Sequence, residues 1–207
     1  MTPWLIFGAG GKGVGALTAK LALAEGRHVV ALVRSEEAAT KLRVAGVQVI
    51  TGDACNTEAV TEACRLAGKE ATVISTMGGS QDYLAHRTVI DVAEKAGIAR
   101  MVLVTSLGCG ESWAYLSDRA KAAFGQAVRE KSLAESWLQT SRLDFAIVRP
   151  GGLLHGEPTG KAMLSQTPEI HGMVMRADVA AHVAELAKAP GLNRQVYGLV
   201  QPGLKPA

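Results

Sequence analysis

At 207 residues the chain has room for one ordinary domain, so any cofactor and any substrate must share a single compact unit. Hydrophobic residues make up 48% and charged residues 20%, which argues against disorder or a coiled coil, while 4% aromatics and 23 glycines favour helices packed closely on a sheet. The formal net charge of +3 is scattered, with no run of five basic residues, so the pattern points away from nucleic acid and anionic membranes and leaves small anionic ligands open.

In chain order, short runs rich in Val, Ile and Leu at 4–7, 28–33, 47–51, 71–75, 101–105, 145–148 and 195–200 alternate with helical stretches. The runs are continuous rather than alternating, as in strands covered by helices on both faces. They predict an α/β fold: one doubly wound domain over 1–207 with a mostly parallel seven-stranded sheet, its ligand crevice at the C-terminal strand ends. Residues 151–176 break the rhythm with Gly151, Gly152, Gly156, Pro158, Gly160, Pro168 and Gly172, a stretch too long for a plain connection, and are predicted to cover the crevice. Asp178 then reads as the N-cap or first-turn residue of a helix ending before Pro190.

The N-terminus lacks the basic and apolar regions of a leader, and no apolar run reaches 18 residues, which predicts a cytoplasmic protein without a membrane span. Cys55, Cys64 and Cys109 form no C-x-x-C and read as buried small residues; neither they nor the five histidines have metal-ligand spacing, so no metal is assigned. No His-Asp-Ser order suggests a triad.

The strongest local signal is Gly8-Ala9-Gly10-Gly11-Lys12-Gly13-Val14-Gly15, between a predicted strand and a helix reaching about Glu25. Gly8, Gly10 and Gly13 match the dinucleotide fingerprint, in which a Cβ would block the turn and keep backbone N–H groups from the pyrophosphate. Lys12 is followed by Gly13 rather than Ser or Thr, which excludes a P-loop. About 20 residues on, where an acid would bind a ribose hydroxyl, stands Val33-Arg34-Ser35. A guanidinium there matches a 2′-phosphate, with bonds of about 1.5–3 kcal/mol favouring NADPH over NADH by roughly tenfold to a hundredfold; the alternative is a strand-end arginine beside Glu36 and Glu37. Asp53 either borders the adenine or begins the next helix.

Together with the glycine loop, Leu32-Val33-Arg34, Gly52-Asp53, Val104-Thr105-Ser106, Lys131-x-x-x-Glu135, Val148-Arg149-Pro150-Gly151 and Arg176-Ala177-Asp178 resemble the atypical branch of the short-chain dehydrogenase/reductase superfamily, in its biliverdin-IXβ/flavin reductase-like and NmrA-like members. The resemblance covers nearly the whole chain. It implies a Rossmann fold binding NADP(H), with the acceptor under the loop after the sixth strand. Cofactor contacts then fall on Gly8, Gly10, Gly11, Lys12, Gly13, Val14, Arg34, Asp53, Thr76, Met77, Gly78, Lys131 and Pro150. Ser106 and Lys131 match the family's catalytic Ser and Lys, but its Tyr is replaced by Ala127.

The helical pattern supports Lys131 separately, since Phe124, Ala127, Lys131, Ala134 and Leu138 share one face; pairing of its ammonium with Glu135 is the alternative. Ser106 either meets the acceptor or closes a strand-end turn. Trp113, Tyr115 and His155 are the other predicted substrate contacts. Without the Tyr acid, flat conjugated acceptors (flavins, quinones, tetrapyrroles) suit the site better than simple ketones, because they spread charge and take a proton from water. The expectation is an NADPH-dependent reductase of a small molecule, with a monomer favoured and a dimer open; a redox sensor or an epimerase-type enzyme are the alternatives.

Overall fold

The computed structural model describes residues 1–205. In chain order it contains β1 (Trp4–Phe7), α1 (Val14–Ala24), β2 (Val29–Val33), α2 (Glu36–Val44), β3 (Gln48–Thr51), α3 (Thr57–Ala67), β4 (Thr72–Ser75), α4 (Asp82–Lys95) and β5 (Arg100–Val104). A 3-10 turn (Gly110–Tyr115) leads into α5 (Asp118–Gln139), β6 (Asp144–Pro150), β7 (Gly152–Leu154), β8 (Met163–Ser165), β9 (Met173–Met175), α6 (Arg176–Lys188) and β10 (Gln195–Val200). The main sheet runs β3-β2-β1-β4-β5-β6-β10-β8. All its pairs are parallel except β10 with β8.

Alternate residues of each central strand enter different cores. Leu5 and Phe7 join Val60, Ala63, Ile90 and Leu138, under α3, α4 and α5. Trp4 and Ile6 join Ala19, Ala22, Val179 and Val183, under α1 and α6. Each such side chain, fully buried, contributes about 1.5–3 kcal/mol, so the sheet is anchored from both faces. Side chains of Ser35, Asn56 and Ser117 accept from the amides of Ala38, Ala59 and Ala120 and start α2, α3 and α5.

The chain leaves β1 toward β2 and β3, then returns to place β4 on the other side of β1. That reversal opens a crevice beyond Phe7 and Ser75. The predicted seven strands are all present within a few residues. The eighth comes from 151–176, which is not featureless: β8 adds to the sheet edge, and β7 pairs with β9 in a separate two-stranded sheet. Three-residue strands among glycines and prolines carry too little periodicity to be seen in sequence.

The helix face proposed around Lys131 needs a correction. Phe124 and Ala127 are exposed, whereas Val128, Ala134, Glu135 and Leu138 are buried. At 22 residues α5 is much longer than the five-residue β5, and its first turns stand free of the core.

Candidate active site

A cavity of about 430 Å³ opens at the crevice between the glycine loop, the end of β2 and the loop after β4. Gly8, with φ of +95°, is shaped for a glycine: a Cβ there would lie 2.5 Å from Thr76 Oγ1 and 2.9 Å from the Thr76 carbonyl carbon. A Cβ on Gly15 would lie 2.6 Å from the Gly8 carbonyl oxygen, so α1 begins pressed against the loop. Gly10 and Gly11 line the cavity. The N-cap of α1 is Gly13, with no side-chain cap and no acid in the first turn, which leaves the helix N-terminus free to attract an anion. Of the predicted loop residues, Lys12 is exposed and Val14 packs into the core; neither lines the cavity, nor does Gly13.

Arg34 and Ser35 form the far wall with Asp53, Ala54 and Cys55. The acids next to Arg34 are committed elsewhere: Glu36 to Arg43 and Thr51, Glu37 to Lys41. Among the described residues Arg34 forms no ion pair, so the strand-end pairing with Glu36 or Glu37 is not what is observed. Asp53 accepts from the Cys55 amide at 2.8 Å while Asn56 caps α3, which places Asp53 in the turn rather than at the helix start. Cys64 and Cys109 are buried as expected, and Cys55 is only half-buried.

Thr76, Met77 and Gly78 make the third wall; Lys131 meets that wall from α5 through the Met77 carbonyl but does not itself line the cavity. The Lys131 ammonium donates to Asp82 Oδ2 at 2.7 Å and to the Met77 carbonyl at 2.9 Å. Asp82 is in turn held by His86, whose Nδ1 lies 2.8 Å from Asp82 Oδ1 and whose Nε2 lies 2.7 Å from Ser75 Oγ. A neutral imidazole satisfies every partner: Nδ1–H donates to the carboxylate and Nε2 accepts from the serine hydroxyl. Burial pushes the Asp82 carboxyl upward, but the His86 bond and the Lys131 charge outweigh it and hold it below its ordinary value.

Ser75 and His86 are fully buried and reach the first cavity only through Asp82, which lines it, so the Ser-His-Asp chain serves to fix the ammonium. Sequence reasoning missed it. The available signal was Asp82-x-x-x-His86, one helical turn apart at the start of a helix.

Glu135, the alternative partner for Lys131, is instead bound to Arg149 at 2.6 and 3.0 Å and accepts from Thr105 Oγ1 at 2.6 Å. Glu111 meets Arg149 from the other side at 2.7 Å. This cluster ties the ends of β5 and β6 to α5 directly below the loop that carries Ser106.

A second cavity, of about 620 Å³, lies over the ends of β5 and β6, next in strand order to the first. Ser106, Leu107, Tyr115, Leu116, Phe124, Val128 and Pro150 form one side; Leu153, Pro168, Ile170, His171 and Arg176 form the other. Ser106 lines this space, and its hydroxyl donates to the Leu107 carbonyl at 2.9 Å, a local bond of the kind the strand-end alternative expects. Tyr115 lines the cavity; Trp113 does not, and the Lys121 ammonium sits 5.6 Å from its ring centre. His155 is exposed outside it, and the histidine on the wall is His171. Pro150 belongs to this cavity rather than to the first. The segment 151–176 is held by Asp178, which accepts from the Thr159 amide (3.0 Å), the Thr159 hydroxyl (2.8 Å) and the Gly160 amide (2.8 Å).

A family profile described as NAD(P)H-binding matches residues 8–190. The chain belongs to this NAD(P)H-binding family. Within it, the chain is 72% identical to the solved structure of ChuY, an anaerobillin reductase from Escherichia coli O157:H7, with a TM-score of 0.98 and full coverage of both chains. It is 29% identical over 182 residues to the uncharacterized sugar epimerase YhfK of Bacillus subtilis, covering 83% of this chain and 81% of that one. Identity to the chloroplastic protein TIC 62 of Pisum sativum is 28% over 156 residues, and there the chain spans only 29% of the relative. The expected Rossmann architecture and the likeness to atypical short-chain reductases are thus borne out.

A nicotinamide dinucleotide fits the first cavity on three grounds already described: a glycine turn too tight for a Cβ at Gly8, an uncapped helix N-terminus following it, and a guanidinium at the end of β2 that forms no ion pair among the described residues. No helix among the described residues is long and apolar enough to cross a membrane.

Proposed function

We propose that this chain is an NADPH-dependent reductase delivering hydride to a flat conjugated acceptor of the tetrapyrrole type, with the dinucleotide in the first cavity and the acceptor in the second. The observation that carries the reading is the full-length 72% identity to an anaerobillin reductase, in a chain whose apolar cavity adjoins the glycine-lined one.

A bound reduced nicotinamide supplies the hydride; the residues of this chain supply position and exclude water. Gly8, Gly10 and Gly11 let backbone approach the pyrophosphate, and Arg34 meets the 2′-phosphate that distinguishes NADPH from NADH. Lys131, held by Asp82 and the Met77 carbonyl, presents a fixed ammonium beside Gly78. Tyr115, Phe124 and Ile170 offer flat apolar surface to the acceptor, beneath the 151–176 segment acting as a cover. Ser106 is a hydroxyl on that wall able to turn from Leu107 toward the acceptor. The residue at the family's tyrosine position is Ala127, so a conjugated acceptor that takes its proton from water suits the site better than a simple carbonyl. Three free cysteines suit a reducing cytoplasm, and we take the monomer as the working unit.

The test is consumption of NADPH, and separately of NADH, by the purified protein with biliverdin, FMN or a quinone, alongside an acceptor-free control. Fastest turnover with the tetrapyrrole and a preference for NADPH are expected. NADPH binding without turnover of any acceptor would overturn the reductase and leave a dinucleotide-binding sensor.

A further inference from the structure

The second cavity has an unusual charge inventory. Among its lining residues there is no Asp or Glu, and Arg176 is the one side chain with a permanent charge. Arg176 is half-buried, and among the described residues its guanidinium makes one hydrogen bond, a 3.2 Å contact from Nη1 to the Leu153 carbonyl. No carboxylate lies within ion-pair distance of it among the described residues. Half of the chain's twelve arginines are ion-paired among the described residues, the buried Arg27 with Glu25 and the buried Arg149 with Glu111 and Glu135 among them; Arg176 is distinguished by lining a cavity that holds no acid.

Nearby acids are otherwise engaged. Asp178, two residues along, is saturated by Thr159 and Gly160, and Glu169 stands 3.7 Å from His171 at the exposed edge. A partly desolvated guanidinium without a counter-ion is costly unless a ligand supplies the anion, and its planar fork is shaped for a carboxylate.

We infer that Arg176 forms a carboxylate subsite in the second cavity, selecting flat acceptors that carry an acidic side chain and orienting their rings against Tyr115 and Phe124. This rests on the reading of that cavity as the acceptor site. A carboxylate on Arg176 fixes one end of the acceptor, while the apolar walls hold the conjugated part. Neutral quinones and esterified acceptors lack the anchor.

Binding of biliverdin and of its dimethyl ester, followed by the absorbance change of the bilin, tests this without requiring turnover. The intact protein is expected to bind the acid roughly tenfold to a hundredfold more tightly than the ester, the range of a charge-assisted pair. Arg176→Met is expected to reduce acid binding to the level of the ester, Arg176→Lys to keep part of the difference, and NADPH affinity to stay unchanged in both.

Equal binding of acid and ester by the intact protein, or equal weakening of both by Arg176→Met, would overturn the subsite; the acid-to-ester ratio decides even if the Met variant does not fold. FMN gaining more over riboflavin than biliverdin gains over its ester would assign the anion to a phosphate and overturn the carboxylate. Discrimination of acid from ester without NADPH oxidation would remove the reductase reading and leave the subsite standing.

Discussion

The two cavities over the sheet are made of different material. The first sets glycines at the end of β1 and after β4 beside polar side chains, Arg34, Ser35, Asp53, Thr76 and Asp82. The second is lined by side chains drawn from four separate stretches, at 106–117, 120–128, 150–153 and 168–176. Each contains one arginine without a carboxylate partner among the described residues, Arg34 in the first and Arg176 in the second, and each is the proposed seat of an anionic group of its ligand.

The sharpest break in this contrast is expected at Asp82, a buried acid on the wall of the first cavity. Asp82→Asn removes one member of a buried ion pair and should cost about 3–5 kcal/mol in denaturant unfolding at neutral pH. Because the folded carboxyl is held below its ordinary value, its stabilisation is complete above the unfolded value of about 4 and fades as pH falls through the lower folded one. The stability gap between the two proteins should therefore close in strong acid; a gap that stays constant would mean that charge is not its source.

Next in size is Arg34→Glu, expected to weaken NADPH roughly tenfold to a hundredfold in a fluorescence titration while leaving NADH and stability nearly unchanged. Equal loss of both nucleotides would sink the phosphate role. Asp178→Asn tests the second cavity alone. Losing the charge that grips Thr159 and Gly160 should cost about 1–2 kcal/mol and raise KM for the acceptor with no change in KM for NADPH. The smallest effect is assigned to Phe124→Ala, whose ring is 64% exposed: stability within about 0.5 kcal/mol of the parent, acceptor affinity reduced about threefold. Unaltered acceptor binding would show that this ring lies outside the acceptor site.

Legibility followed the same divide. Gly8, Gly10, Arg34 and Asp53 stand where a local fingerprint and its spacing put them, because a strand, a turn and a helix start fix their geometry within a few residues. Thr76 and Gly78 were placed by the same logic of strand ends. Lys131, expected to face the crevice with pairing to Glu135 as the alternative, reaches the loop after β4 but lines neither cavity. Helical spacing offered Glu135, whereas α5 packs against α4 and delivers Asp82, 49 residues away in the chain. His155 and His171 were indistinguishable in sequence, since the fold of β7, β8 and β9 alone turns one outward and sets the other on the cavity wall.

Continuous apolar runs and the glycine pattern were sufficient for the doubly wound sheet, its crevice and the dinucleotide end of the site, since these depend on interactions a few residues long and on strand burial that leaves a direct imprint on composition. The partner of Lys131, the eighth strand and the charge of the second cavity depend on contacts between segments far apart in the chain. Long-range side-chain pairing has no period in sequence, so its outcome becomes visible only when the helices and the 151–176 segment are packed onto the sheet.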